Sequence, residues 1–448
     1  MNTQSRAKII SWSTAGEEVC ASAARISTTQ GDADTLFQQA QGNPKNRDLI
    51  SKVLASGHRS VAEHAVFSIA LENVSVYVEQ FFIEHRLASF TVKSRRYVDF
   101  SGLGYYIPPE LEGAALASYK KYMDGLFRAY QAILEDGVPK EDARFLLPYS
   151  LCSNFYCTLN ARELARVIQT MRTGRGRGIP ELQDLARQLE EQLEERFPCL
   201  LPELCASGET DCPEALPPLL GAEPSFASEA EAGKVRLLAA PAEPMALLEA
   251  AHRAENPRRG DAFSLEALAA SDRPRALEQL NYTFAISDVT LSGITHLVRH
   301  RMQSIIVPPI QGLNHTRYIL PDTIRDNAPA REKYEAALAE AARQAGAMAA
   351  DPVLRRYNYY YAVSGNMMDV MTTLNARELQ LLLRLRTCNR AQWEVREIAV
   401  DMLRLLRQSF PELFNRFGPS CYLTGSCPEG RMTCGQSEAM KARFAGKL

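Results

Sequence analysis

Ser94, Arg95 and Arg96 place a hydroxyl beside two guanidinium groups. That set suits a phosphate: the serine donates one hydrogen bond, and an arginine offers a planar fork of donors to two oxygens. A solvated basic turn accounts for the same triplet equally simply. A second cationic group, Arg299-His300-Arg301, lies in the apolar context THLVRHRMQS. Read on a helix, Arg299 and Arg301 do not share a face, so they would address different partners, such as two phosphates or a phosphate and a carboxylate. Arg386 follows Asn375 by eleven residues, about three helical turns, so both can line one cleft. A structural helix with surface arginines is the plain alternative. Two cysteine triplets, Cys199, Cys205, Cys212 and Cys421, Cys427, Cys434, share one spacing. Three thiolates repeated in this way suggest a metal, most simply zinc with a fourth ligand from elsewhere, with inert thiols or an iron–sulfur cluster as the other readings.

The elements that must carry these groups occur twice. Glu84-His85-Arg86 stands 215 residues before Arg299-His300-Arg301, and the same offset relates Glu63 to Glu278 and Phe67 to Tyr282. It also relates TLNAREL starting at Thr158 to an identical TLNAREL starting at Thr373. The chain therefore reads as two homologous repeats, 1–212 and 234–448, joined by a Pro-, Ala- and Glu-rich linker over 213–233. Within each repeat, VFSIALENVSVYVEQFF begins with strand-like alternation and becomes helical around the His-Arg motif. NARELARVIQTMR, NARELQLLLRLR and YKKYMDGLFRAYQAILEDG have helical apolar spacing, the asparagines serving as N-caps. The expected class is α/β or α+β, two copies of a small, mainly antiparallel sheet packed with helices.

Composition sets the bounds. With 448 residues, 46% hydrophobic content and 23% charged residues, the chain suits a soluble globular protein of two or three domains. A net charge of -2 gives no global basic field for nucleic acid, so an anion must be captured by local arginine clusters. No stretch is apolar and long enough to span a bilayer, and the first residues lack a secretory apolar core. A cytoplasmic location is expected, where ten cysteines serve as thiols or metal ligands.

The motifs resemble those of the flavin-dependent thymidylate synthases. That family carries Arg-His-Arg followed by a Ser-x-Arg loop, preceded by His-x-Ser/Thr-x-x-Glu-His and followed by Asn-Ala-Arg, Leu-Arg and Ala-Gln-x-Glu-Ile-Arg. The first repeat has HRSVAEH at His58–His64, Ser94 and Arg96 in the loop, ARFLLP with Arg144, and Asn160-Ala161-Arg162. The second has Arg299-His300-Arg301, Asn375-Ala376-Arg377, Leu385-Arg386 and AQWEVR at Ala391–Arg396. The resemblance implies FAD as cofactor, NADPH and methylene-tetrahydrofolate as co-substrates, and dUMP or a related pyrimidine nucleotide as substrate. It also implies a homodimer of the tandem chain imitating the family's tetramer, with no nucleic-acid or membrane partner.

Carried over residue by residue, the resemblance assigns the nucleotide to Ser94, Arg95, Arg96, Arg144, His296, Arg299 and Arg386, with Arg386 activating the pyrimidine. It assigns FAD to His58, Ser60, Glu63, Arg299, His300, Arg301, Asn375 and Arg377. The two repeats are degenerate in opposite ways. Glu84 replaces the first arginine in repeat one, and Met171 takes the place of Arg386. In repeat two, Pro309, Gln311 and Tyr359 fall where Ser94, Arg96 and Arg144 stand, unless an insertion brings Arg317 onto Arg96. A glutamate facing phosphates opposes binding by like-charge repulsion. The expectation is one working kind of site, built from the front half of repeat two and the back half of repeat one. Thr91, Val92 and His296 depart from the family pattern and leave the nucleotide open to another pyrimidine, methylated or hydroxymethylated at C5; a non-catalytic nucleotide- or flavin-binding homologue is the other reading.

Overall fold

Ser75 and Thr290 explain how each repeat turns a strand straight into a helix. Each side chain accepts a hydrogen bond from the first helical turn, Ser75 from Val78 N at 3.2 Å and Thr290 from Gly293 N at 2.8 Å. In the computed structural model, which describes residues 4–202, 234–256, 263–271 and 273–446, the preceding apolar runs are strands. The linker 213–233, Cys205 and Cys212 lie outside the described residues.

The first sheet comprises β1 (Arg6–Trp12), β2 (Val66–Ser75), β3 (Ala88–Val92) and β4 (Cys152–Asn160), in the order β1-β2-β4-β3. The second comprises β5 (Val235–Ala239), β6 (Asn281–Thr290), β7 (Gln303–Ile306) and β8 (Met367–Asn375), in the order β5-β6-β8-β7. Every pairing is antiparallel, so the class is α+β. The register repeats as the sequence does: Val66 lies opposite Asn160, and Asn281 opposite Asn375. Even the cross-strand hydroxyl pairs recur, Ser68 with Thr158 and Thr283 with Thr373, both at 2.9 Å. Asn73 and Asp288 share the same left-handed φ of 54°, a conformation that Asn and Asp tolerate better than most residues.

Helices α1 (Val76–Ile83), α2 (Gly113–Glu135), α3 (Ala161–Arg172) and α4 (Pro180–Arg196) belong to the first repeat; α5 (Leu291–Leu297), α6 (Ala376–Arg386) and α7 (Trp393–Ser409) to the second. Asn160 and Asn375 cap α3 and α6, accepting from Glu163 N and Glu378 N at 2.9 Å in both cases. Leu164, Val167 and Ile168 of α3, and Leu379, Leu382 and Leu383 of α6, are buried in their respective cores. One expectation is corrected here. The helix does not run through the His-Arg motif; it stops at Ile83 and Leu297, and the motif forms a turn leading into β3 or β7. Gln303 fixes that stop in repeat two by donating to Leu297 O at 2.5 Å while accepting from Thr372 Oγ1 at 2.9 Å.

The compact units differ from the sequence repeats. One unit takes in the chain up to Pro218 together with Leu320–Ser364; the other takes Leu219–Ile319 and Gly365–Leu448. Inside the first unit, α2 packs against the long helix Ala328–Ala350 through apolar stripes that include Tyr122, Leu126, Tyr334 and Leu338. Tyr122 stacks on Tyr361 at 5.1 Å, and Tyr149 N donates to Ala362 O at 2.8 Å. No described helix is long and apolar enough to cross a membrane.

Candidate active site

In the second unit, two side chains of α6 meet at one imidazole. His300 is buried in the turn after α5, while Arg299 and Arg301 on either side are exposed. Its Nδ1 lies 2.9 Å from Glu378 Oε1 of α6, and Arg386 Nε donates to its Nε2 at 3.1 Å. Arg386 Nη2 reaches the carbonyl of His296 at 3.4 Å. Burial lowers the pKa of His300 below its ordinary value and Arg386 lowers it further, against the opposing hydrogen bond and charge of Glu378. The start of α5 is anchored by the buried Glu394 of the AQWEVR motif. Its carboxylate accepts from Thr290 N at 2.8 Å and Thr290 Oγ1 at 2.5 Å, and Lys234 Nζ lies at 3.2 Å. Gly293 permits this approach, because a Cβ there would meet Glu394 Oε2 at 2.8 Å. Asn375 is committed to capping α6, and Arg377 is ion-paired with Glu278.

In the first unit, two arginines converge on Glu141. Arg96 Nε donates to its carboxylate at 2.5 Å, and the buried Arg144 donates through Nε to its carbonyl at 3.0 Å. Ser94 Oγ accepts from Arg96 N at 3.3 Å, closing the loop on itself. Arg95 points the other way. It is 6% exposed and forks onto Glu79 at 2.8 and 3.1 Å, with Ser153 Oγ donating to the same carboxylate at 2.5 Å. The structure therefore gives Arg95 a place in the core rather than the nucleotide contact expected of it. In the second repeat, the positions of Glu79, Arg95 and Ser153 hold Ile294, Ile310 and Met368, all buried.

The remaining expected residues fall into place unequally. Glu63 pairs with Arg162 on the surface, as Glu278 does with Arg377; His58 and Ser60 are exposed beside Glu63. The first-repeat His-Arg turn is filled by its own side chains. Arg175 is ion-paired with Glu84, donates to Phe81 O at 3.1 Å and lies over the Phe81 ring at 4.8 Å. His85 is pushed down to about 3 by burial, with Arg175 and Arg166 adding to the effect, and its Nε2 has no hydrogen-bond partner. Arg317 does not replace Arg96: it binds Asp288 Oδ1 at 2.5 Å and Asp369 Oδ1 at 2.8 Å. Tyr359, at the position of Arg144, is a core ring packed 4.5 Å from Tyr77.

Of the two cysteine triplets, Cys199 and the whole of the second lie among the described residues. Among the described residues, no three His, Cys, Asp or Glu side chains are grouped so as to hold a metal ion. Cys199 is a core residue whose thiol is pushed up to about 12, chiefly by burial. Cys421 is buried, and Cys427 and Cys434 are half-buried. Three residues that the motifs did not single out matter to the geometry: Glu378, Glu141 and Arg175. Glu141 and Arg175 left a trace in KEDAR and TGRGRG, where charge clusters beside motif residues. Glu378 was visible only as the fourth letter of the repeated NARE.

Comparison with known proteins supplies the family. The family described as "Thymidylate synthase complementing protein" matches the chain twice, over residues 8–199 and 236–412. The flavin-dependent thymidylate synthase of Geobacter sulfurreducens is 35% identical over 173 residues, covering 38% of this chain and 74% of its own. That of Clostridium tetani is 33% identical over 183 residues, covering 37% and 73%. Among solved structures, a UMP/dUMP methylase, PolB, from Streptomyces cacaoi, bound with 5-Br dUMP, is 23% identical with a TM-score of 0.40, covering 47% of this chain and 98% of its own. Two matches, two sheets of one topology and two sets of cap and register residues lead to one conclusion: the chain belongs to the flavin-dependent thymidylate synthase family, carried twice in a single polypeptide.

Proposed function

We propose that the protein methylates dUMP to dTMP, taking the carbon from methylene-tetrahydrofolate and reducing equivalents from NADPH, with FAD as cofactor. The observation that carries this reading is the division of intact parts. The second repeat holds the half-buried Arg386 by hydrogen bonds to His300 and the His296 carbonyl, with Arg299 and Arg301 exposed on either side of His300, and the first holds Arg96 and Arg144 together on Glu141. A productive site takes its cofactor half from repeat two and its phosphate half from repeat one, within an assembly of two chains.

The donor set of repeat two fits FAD in its chemistry: exposed guanidinium groups at Arg299 and Arg301 suit a pyrophosphate, and Asn375 and Arg377 stand at the start of α6. The set of repeat one does not fit, since Glu84 and Arg175 neutralise each other there. When bound, FAD supplies the hydride chemistry. The chain's own residues orient and polarise. Ser94, Arg96 and Arg144 hold the nucleotide phosphate, which takes the place of the Glu141 carboxylate on Arg96. Arg386 stabilises negative charge developing on the pyrimidine, an interaction worth a few kcal/mol (about 3) where water is excluded. His58, Ser60 and Glu63 contribute to the cofactor from a neighbouring repeat.

A second reading keeps the chemistry and changes the nucleotide; Val92 and His296, which stand where the family pattern differs, favour it. The experiment is an assay of FAD-loaded protein with dUMP, methylene-tetrahydrofolate and NADPH. Formation of dTMP supports the first reading, and FAD binding without dTMP turns the search to other pyrimidine nucleotides. A protein that takes up no FAD refutes both. Arg144→Ala removes a charge-assisted contact of about 1.5–3 kcal/mol, so dUMP affinity should fall roughly tenfold to a hundredfold.

A further inference from the structure

The buried imidazole of His300 is the link between two charged groups of one helix. Glu378 and Arg386 are separated by about two turns of α6, roughly 12 Å along its axis, and the ring bridges them. Arg386 Nε is a donor, so His300 Nε2 must accept and carry no proton. The ring proton then lies on Nδ1 and is donated to Glu378 Oε1. The hydrogen bonds run in one direction, from guanidinium to imidazole to carboxylate. The first repeat supplies an internal comparison. It keeps the glutamate as Glu163 and the histidine as His85 but has Met171 for the arginine, and there the histidine Nε2 is buried without a partner. Where the arginine is absent the imidazole Nε2 has no partner, and in the second repeat the ring is used to hold one.

We propose that Glu378 is a positioning residue: by fixing the Nδ1–H tautomer of His300, it aims Arg386 at the pyrimidine. This rests on the reading of Arg386 given above. His300 must be neutral for the arrangement to stand. The groups that face it are Glu378 and Arg386 of α6 and the His296 carbonyl of α5, with Arg299 and Arg301 flanking it in the turn. When pH falls through the lowered pKa of His300, Nε2 gains a proton, its bond from Arg386 is lost, and two cations face each other. Turnover should therefore be sustained through neutral pH and lost in acid.

The test compares Glu378→Leu, Glu378→Gln and Arg386→Ala in FAD-loaded protein, with dUMP, methylene-tetrahydrofolate and NADPH across a pH series. Glu378→Leu should lower kcat about tenfold to a hundredfold with KM for dUMP and flavin content little changed, the scale of a misaimed catalytic group. Glu378→Gln still offers an oxygen to Nδ1–H, so it should recover most of kcat. Its acid limb should move to lower pH, because the carboxylate no longer supports the imidazolium. A merely structural glutamate would not move that limb. The ¹⁵N shifts of histidine-labelled protein should report His300 as Nδ1–H in the native chain. A kcat for Glu378→Leu equal to the native value, an unmoved limb in Glu378→Gln, or an Nε2–H tautomer overturns the proposal. If Glu378→Leu does not fold, the Gln limb and the tautomer decide. If Arg386→Ala itself retains turnover, the reading of Arg386 fails and this inference with it; if only Arg386→Ala is inactive, the inference alone fails.

Discussion

Exchange of Glu79, Arg95 and Ser153 for Ile, Ile and Met is a demanding test of how the two repeats are related. The first repeat buries an ion pair there, Glu79 at 0% and Arg95 at 6% exposure, with Ser153 as third partner. The second repeat fills the same three positions with Ile294, Ile310 and Met368. Removing one member of a buried pair leaves the other charge without compensation, so Glu79→Ile alone should cost about 3–5 kcal/mol. Replacing all three with the apolar set removes both desolvated charges together. The net effect should lie between neutral and about 1–4 kcal/mol more stable, as in other buried pairs exchanged for well-packed apolar groups. The triple variant should therefore be more stable than the single one by at least about 3 kcal/mol, a factor above a hundred in the unfolding equilibrium of that unit. Denaturant titration followed by far-UV circular dichroism reads the order, and dUMP binding by calorimetry reads function. A triple variant that is folded and binds dUMP normally confirms Arg95 as a core residue. A triple variant less stable than Glu79→Ile, or folded but deaf to dUMP, refutes the reasoning.

Glu141 competes with the nucleotide phosphate for Arg96, and the pair is only partly buried. Glu141→Gln should tighten dUMP binding by about 0.5–1 kcal/mol, up to about fivefold by calorimetry, and weaker binding would make Glu141 a ligand in its own right. Glu84→Arg with Met171→Arg removes the partner of Arg175 and restores both lost arginines of the first arm. Bound FAD per chain, read from its absorbance after desalting, should rise above that of the native chain, and an unchanged ratio counts against the filled-arm reading. Gly293→Ala sets a Cβ 2.8 Å from Glu394 Oε2. It should destabilise the second unit by about 1–3 kcal/mol, visible as a lower denaturation midpoint, whereas Ala at the open helical position Gly346 should cause no loss and gain slightly from its better helix propensity.

Sequence alone determined the duplication, because the spacing of TLNAREL and of the His-Arg motif is a property of chain order. It also determined the strand-to-helix junctions and the N-caps, which depend on residues within one turn of each other. Complementary loss was legible for the same reason: Glu84 against Arg299, and Ser94-Arg95-Arg96 against Pro309-Ile310-Gln311, can be compared letter by letter. What letters cannot show is where a guanidinium points. Arg95 and Arg96 are adjacent in sequence, yet one forks into the core onto Glu79 and the other reaches Glu141, because the chain turns at this point, with Val98 N donating to Ser94 O, and the turn sends the two side chains different ways. Arg317 looked like a returning phosphate ligand and proved bound to Asp288 and Asp369, carboxylates 29 and 52 positions away along the chain. The partnership of Glu378, His300 and Arg386, and the packing of Leu320–Ser364 with the first unit rather than the second, are likewise tertiary facts. They depend on long-range burial that brings distant side chains within bonding distance, and local spacing carries no record of it.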